Sequence, residues 1–246
     1  MQLEFEANDP EPAGWEWLVR GRYLGFTLTF THAVTPGELL RRYGLDPGAA
    51  RLVPFAGIDA ALRPGPAEAV VRAGTLNGWA FAIEIPGSRG SASATLADLS
   101  EGTRTIAVHF GANAFHLLSY WENGQPREQF EPGAPATLRA TGPHHFWDAT
   151  ERHRTARPDA TDVLSALRAV GDHVGAHLPP ELDDGPLPSL LLPQTVPPRP
   201  SPVPPPPLVR PTAPRPRGRL LGSFRPSDLA TGAGPGHAEA SSGGVG

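Results

Sequence analysis

Glu84 is the carboxylate in this sequence that is best placed for chemistry. It interrupts an apolar run, WAFAIEI at 79–85, whose alternation predicts a half-buried strand with Ala80, Ala82 and Glu84 on one face. Such small neighbours would leave a pocket with a carboxylate at its base, a setting suited to acid–base catalysis. The alternative is a structural glutamate that pairs with an arginine on a solvated or helix-covered face.

Two histidines extend this candidate catalytic site. If a tight turn is centred on Ala112 and Asn113, the strands at 103–110 and 114–122 pair with His109 opposite His116. Side chains paired in this way have Cβ atoms about 4.5–5.5 Å apart. Two imidazoles at that distance can share a proton or a metal ion, but no third ligand follows from the spacing, so we expect no metal site. A polar cross-strand pair on an exposed face is the alternative.

The remaining histidine motifs lack the partners that catalysis requires. His173 and His177 are spaced i, i+4, but Val174 occupies the place where a metalloprotease helix carries glutamate. The histidines and the aspartate of HHFWD at 144–148 could activate a nucleophile, but the sequence contains no G-x-S-x-G motif that would supply one. We therefore interpret this run as a loop leading into a helix. Glycine-rich phosphate loops are absent from the sequence, and we expect no cofactor.

Composition excludes several other classes of chemistry. The 246 residues contain no cysteine, and all 21 basic residues are arginine, which excludes disulfides, thiolate ligands and lysine Schiff bases. The net charge is −4. No run of 18 apolar residues and no basic, then apolar leader is present, so we expect a cytoplasmic protein without membrane insertion.

Periodicity places these residues in an α+β domain. Alternating segments predict strands at 22–31, 69–73, 79–85, 103–110, 114–122 and 125–130, with a hairpin turn at Asn123-Gly124. Thr35, Pro36 and Glu38 predict a capped helix over 36–43, and a second helix is predicted over 162–178. Consecutive hairpins indicate a mainly antiparallel sheet with helices packed on one face.

A proline-rich tail is predicted to follow the domain. Composition changes near Leu178, which predicts a globular domain at 1–178 and a disordered tail at 179–246. Arg199, Pro202 and Pro205 form an R-x-x-P-x-x-P pattern that can dock into an aromatic groove, and a solvated spacer is the alternative. Six tail arginines also allow a tethered adaptor on anionic surfaces, although nucleic acid is not the expected partner because stacking aromatics are scarce there.

An ordered series of segments resembles an uncharacterised domain family that is widespread in actinobacteria. The matching segments are Trp17-Leu18, TPGELLRRYG at 35–44, NGWAFAIE at 77–84, LSEGTRTIAV at 99–108, ENG at 122–124 and QFEP at 129–132. The resemblance implies an intracellular α+β domain and implies no activity.

These patterns favour a non-enzymatic protein-binding or regulatory module, of immunity type by analogy, whose tail acts as a spacer and whose protein partner is unknown. The second hypothesis is a small hydrolase that uses Glu84 with His109 or His116, and the third is the tethered adaptor.

Overall fold

A nine-stranded antiparallel sheet runs through residues 14–194, the part of the chain that the computed structural model describes. The strands are β1 (Phe26–His32), β2 (Arg51–Val53), β3 (Glu68–Leu76), β4 (Trp79–Ile85), β5 (Arg104–Phe110), β6 (His116–Glu122), β7 (Gln125–Phe130), β8 (Arg139–Ala140) and β9 (Leu187–Pro193). Their order across the sheet is β2-β9-β3-β4-β1-β5-β6-β7-β8. Of the candidate residues, Glu84 lies on β4 and His109 on β5, the two strands that flank β1.

Six α-helices accompany the sheet within the described residues: α1 (Pro36–Arg42), α2 (Ile58–Leu62), α3 (Ser93–Ser100), α4 (His145–Ala156), α5 (Asp162–Val174) and α6 (Pro180–Asp184). The predicted cap of α1 forms, because the Thr35 hydroxyl accepts a hydrogen bond from the Glu38 amide at 3.1 Å. After α5, Gly175 adopts φ +75° and ends the helix at Val174, four residues before the predicted end.

Alternate positions on the central strands enter two separate apolar clusters. On β4, Trp79, Phe81 and Ile83 pack with residues of α4 and α5, whereas Ala80 and Ala82 pack with α1 and α3. The predicted α+β fold with a mainly antiparallel sheet is confirmed. The expectation that helices cover one face is corrected, since the small alanines let helices approach the second face and bury it as well.

Hairpin turns follow the local sequence closely. Asn123 and Gly124 have φ of +51° and +73°, as the two central residues of a type I′ turn require. Asn77 and Gly78 form a second such turn, between β3 and β4, with φ of +46° and +77°. This second hairpin was not predicted, although it has the same two residue types.

The domain continues past the boundary predicted at residue 178. Strand β9 lies between β3 and β2, pairing Leu190 with Val71 and Pro188 with Leu52. The preceding helix, α6, supplies Asp183, whose buried carboxylate accepts a hydrogen bond from Arg72 at 2.6 Å. Residues 179–194 are therefore part of the sheet domain. The remainder of the predicted tail, 195–246, lies outside the described residues.

No helix between residues 14 and 194 combines the length and apolar character needed to cross a bilayer.

Truncation after Gln194 and truncation after Leu178 should have opposite effects on folding. A chain of residues 1–194 keeps β9, whereas a chain of 1–178 lacks β9 and leaves buried Arg72 without its carboxylate, a loss of about 3–5 kcal/mol by itself. We expect cooperative urea unfolding, followed by tryptophan fluorescence, for the longer chain only. Equal unfolding midpoints for the two chains would contradict the placement of β9.

Candidate functional site

Glu84 and His109 lie in one row that crosses three neighbouring strands. The register pairs Glu84 of β4 with Thr27 of β1, and Thr27 with His109 of β5, so all three side chains share the face that α1 and α3 cover. Two strand spacings, roughly 9.5 Å, separate Glu84 from His109 along this row. The structure therefore brings the two residues to one face but not to one point.

The carboxylate of Glu84 is fully buried and is engaged by the backbone of the turn that follows β4. Its two oxygens accept hydrogen bonds from the amides of Arg89 at 3.0 Å and Gly90 at 2.8 Å. The Gln194 side-chain amide donates a third bond at 3.3 Å. A Cβ atom on Gly87 would overlap Glu84 Oε1, which shows how closely the turn covers the carboxylate. Glu84 thus binds chain segments together rather than facing a cavity.

The neighbours of Glu84 tighten the same turn. Thr27 donates its hydroxyl hydrogen to the Gly87 carbonyl at 2.7 Å, and the Tyr43 hydroxyl lies 3.2 Å from the hydroxyl of Thr29. Burial raises the pKa of Tyr43, and the nearby charge of Glu84 raises it further. Tyr43 is therefore a neutral phenol at physiological pH, packed against Gly90, where a Cβ atom would overlap its hydroxyl.

The predicted pairing of His109 with His116 is wrong by one residue. The loop between β5 and β6 is longer than a tight turn, so His109 pairs with Leu117 and His116 pairs with Phe110. Because side chains alternate between faces, this shift sends the two imidazoles to opposite faces of the sheet. His109 lies beside Thr27, with its Nδ1 3.0 Å from the Thr27 hydroxyl.

His116 packs on the face that carries the aromatic cluster. Its ring stacks on Phe110, with centroids 4.8 Å apart and planes 5° apart, and its buried Nδ1 has no hydrogen-bond partner among the described residues. Burial lowers the pKa of His116, and the charges of Glu131 and Asp162 only partly oppose that effect. The pKa of His109 is also lowered, first by burial and then by the charge of His116.

The remaining histidine motifs do not form a catalytic or metal-binding centre among the described residues either. His173 lies against the rings of Trp79 and Phe146, and burial lowers its pKa, followed by the charge of Arg104. His145 begins α4, as the interpretation of 144–148 expected of a segment leading into a helix. Within residues 14–194, no three side chains of histidine, aspartate or glutamate are grouped as metal ligands would be.

A buried ion network between β3 and α6 was not predicted from the sequence. Arg72, which is fully buried, donates to the Asp183 carboxylate and to the carbonyls of Val53 at 3.0 Å and Gly185 at 2.9 Å. Tyr23 donates its hydroxyl hydrogen to the same Asp183 carboxylate. The alternating sequence predicted a strand around residue 72. Only the structure, which places Asp183 of α6 beside Arg72, shows which group neutralises the charge of Arg72.

An open groove lies at the end of the sheet where β3 begins and β4 finishes. We call it the proline-lined groove; it has a volume of about 450 Å³ and is lined by Phe55, Ala56, Ile58, Asp59, Pro64, Gly65, Pro66, Glu68, Val70, Ile85 and Pro86. The lining is mostly apolar. Its two charged members, Asp59 and Glu68, are both acidic, and neither has a cationic side chain within 4.0 Å among the described residues.

The other predicted binding residues are those of the R-x-x-P-x-x-P pattern. Arg199, Pro202 and Pro205 lie outside the described residues, and their role stays a prediction.

Fold and site together define an α+β domain whose antiparallel sheet is covered by helices on both faces and whose central carboxylate is used to hold a turn. The chain belongs to a family of unknown function, DUF6461, whose model matches residues 14–174. The predicted resemblance to an uncharacterised domain family is thereby confirmed. The match ends with α5, before α6 and β9. No curated protein and no solved structure matches the chain.

Replacing Glu84 by glutamine should lower stability. The substitution keeps the shape of the side chain but removes the charge that accepts bonds from Arg89 and Gly90, and hydrogen bonds to a charged group contribute about 1.5–3 kcal/mol. We expect a loss of that order in the free energy of unfolding, measured with urea. Glu101→Gln, at an exposed position, is the control and should be neutral. An unchanged midpoint for Glu84→Gln would argue against a structural carboxylate.

Replacing His116 by phenylalanine should make the free energy of unfolding fall less steeply as the pH is lowered from neutral. The folded-state pKa of His116 lies below the ordinary value of 6.5, so its contribution is present above pH 6.5 and is lost as the pH falls through the folded-state pKa. The phenylalanine keeps the stacking on Phe110 but binds no proton. Urea unfolding between pH 7 and pH 5 should show a shallower loss of stability than in wild type, and parallel profiles for wild type and His116→Phe would refute this.

Proposed function

We propose that this domain is a non-enzymatic protein-binding module and that the proline-lined groove is its binding surface. The partner would be an extended peptide segment with apolar or proline residues and at least one basic side chain. The observation that carries the proposal is the lining of the groove, in which apolar residues surround two carboxylates, Asp59 and Glu68, and no cationic side chain among those described.

The composition of the groove suits recognition of an extended chain. Phe55 and Ile85 are half-buried, so each still offers apolar surface to a ligand. Extended proline-rich segments bind apolar grooves at low entropic cost because their shape is already formed. The carboxylate of Glu68 accepts a bond from the Gly65 amide at 2.8 Å, which fixes it at the rim, and Asp59 is exposed. A basic residue in the ligand would be attracted there.

The fate of the catalytic candidates also supports a binding role. A hydrolase based on Glu84 requires the carboxylate to face substrate, whereas this carboxylate is fully buried and accepts three hydrogen bonds. Its histidine partners lie on opposite faces of the sheet, since His109 shares the face of Thr27 and His116 shares the face of Phe110. These positions favour a binding module over the hydrolase hypothesis.

A peptide selection tests the proposal and requires no assumption about which protein is the partner. A random peptide library displayed on phage is selected on the full-length protein. We expect enriched peptides that combine proline or apolar residues with arginine or lysine. Their affinities are then measured by calorimetry with synthetic peptides.

Two pairs of variants locate the binding surface. Ala56→Trp fills the groove and Asp59→Arg reverses a rim charge, and each should weaken binding of the selected peptides at least about ten-fold, or ~1.4 kcal/mol. Ala94→Trp and Glu101→Arg, which lie in a different cleft beside α3, should leave the affinity unchanged. Selection of no peptide that is sensitive to Ala56→Trp would overturn the assignment of the groove.

A further inference from the structure

A second cleft lies at the other end of the sheet from the proline-lined groove, where β4 and β5 begin. It opens between strands β5 and β6 and helices α4 and α5, on the face that carries the aromatic cluster. We call it the arginine-lined cleft; it has a volume of about 360 Å³, and its lining includes Arg104, Tyr120, His145, Phe146, Arg152 and His173. The two clefts share no residue.

Arg104, the first residue of β5, has no anionic partner for its guanidinium. The guanidinium lies over the ring of Trp79, with Cζ 5.2 Å from the ring centroid, and its buried Nε has no hydrogen-bond partner among the described residues. Glu122, its cross-strand neighbour on β6, instead forms an ion pair with Arg127 at 3.2 Å. Because a guanidinium carries five N–H donors and no acceptor, this position favours a ligand that supplies oxygen atoms.

Helix α4 contributes a second guanidinium to the cleft. Arg152 is exposed, and between residues 14 and 194 no carboxylate lies within 4.0 Å of it, including Asp148 one turn earlier. The one acidic side chain in the lining, Asp172, is hydrogen-bonded to the imidazole of His153 at 2.8 Å. The cleft is therefore locally positive, although the whole chain carries a net charge of −4.

Two imidazoles and a phenol complete the donor groups. The pKa of His173 is lowered first by desolvation. Three cationic groups on other elements, Arg104, His145 and His32, lower it further, which shows that positive side chains from two strands and two helices converge here. Burial raises the pKa of Tyr120, so its hydroxyl keeps its proton at neutral pH and can donate a hydrogen bond.

This number of donors suits a phosphate group better than a carboxylate. A carboxylate has two oxygens and one charge, which a single guanidinium binds in a bidentate manner. A phosphate monoester carries about −1.5 to −2 charges at neutral pH and has three free oxygens, so it can accept from two guanidiniums and a hydroxyl together.

The size and the floor of the cleft indicate a small molecule. Its volume of about 360 Å³ is near the lower end of the range for small-molecule sites, about 300–1,000 Å³. Phe146, Ala149 and Ala169 form an apolar floor next to the donor groups. A ligand that fits therefore joins a phosphate to a small apolar group.

We propose that the arginine-lined cleft binds a small phosphate monoester, with Arg104 and Arg152 on the phosphate oxygens and the Tyr120 hydroxyl as a third donor. The organic part of the ligand then lies over the apolar floor. This inference does not rest on the proposed function, because the cleft and the proline-lined groove are separate surfaces. It adds a small-molecule ligand to a domain whose proposed partner is a peptide.

A titration of the full-length protein tests the phosphate selectivity. Phenyl phosphate, inorganic phosphate and benzoate are added separately in a phosphate-free buffer of constant ionic strength, and amide chemical shifts are followed by NMR. We expect phenyl phosphate to bind at least about ten-fold more tightly than benzoate. Equal affinity for inorganic phosphate would support the phosphate site and identify the free ion as its ligand. Equal affinity for benzoate, or no saturable shift with either phosphate, would overturn the proposal.

Substitutions of arginine locate the site. Arg104→Gln should weaken phenyl phosphate binding at least about ten-fold and Arg152→Gln about three-fold. Arg157→Gln is the matched control, since Arg157 is also exposed and follows the end of α4 but lies in a different cleft. Equal weakening by Arg152→Gln and Arg157→Gln would show general attraction of anions and would overturn the site. Because Arg152 is exposed, its variant keeps the test valid even if Arg104→Gln, which loses its contact with Trp79, does not fold.

The two proposed surfaces fail separately. Ala56→Trp should leave phenyl phosphate binding unchanged, and Arg104→Gln should leave the affinity for the selected peptides unchanged. Loss of phenyl phosphate binding in Ala56→Trp would overturn the assignment of the phosphate to the arginine-lined cleft. Failure of the peptide selection would refute the proposed function and leave the phosphate titration unaffected.

Discussion

The buried ion pair of Arg72 with Asp183 is the interaction on which the C-terminal part of the fold depends. Arg72 lies on β3, inside the sheet, and a guanidinium there is tolerated only if a carboxylate and carbonyl oxygens surround it. Asp183 supplies the carboxylate from α6, while Val53 of β2 and Gly185, which lies between α6 and β9, supply carbonyls. The hydrogen bonds and the ion pair of Arg72 therefore fix α6 against β3. Because β9 follows α6 in the chain, they also help to place β9 between β3 and β2.

Local patterns predicted those elements whose stability is decided locally. The Thr35 cap, the alternation of 79–85 and the Asn123-Gly124 turn all formed as expected, because each depends on residues within one turn or one strand. Strand β9 was not predicted because the high proline content of residues 179–246 as a whole was taken to exclude strands there. Its prolines occupy the second and last positions of the strand, and the four residues between Pro188 and Pro193 are free to pair with β3.

The candidate site was predicted only in part because its geometry is non-local. The position of Glu84 on the alanine face followed from alternation, but its partners are amides of the turn at 89–90, whose position depends on α1 and on Tyr43 packed against Gly90. The loop between β5 and β6 is longer than predicted, so the pairing of these strands differs from the prediction by one residue. Because side chains alternate between the two faces of a sheet, this difference of one residue places His116 on the opposite face. The same capping occurs at Glu128, whose carboxylate accepts bonds from the first amides of α4 at 3.0 and 2.6 Å, so buried strand glutamates here anchor neighbouring segments.

Because helices cover both faces of the sheet, the proposed binding surface lies at one of its ends. The row of Glu84, Thr27 and His109 lies under α1, α3 and the 87–91 turn, while the aromatic face lies under α4 and α5. The proline-lined groove forms where β3 begins, β4 finishes and the segment at 55–59 crosses, so no single stretch of sequence reveals it. Because Arg72 and Asp183 set the path of β9, they also determine that the chain leaves the sheet beside Ala67. The contact that completes the core thus fixes the last described strand beside β3, at the same end of the sheet as the proline-lined groove.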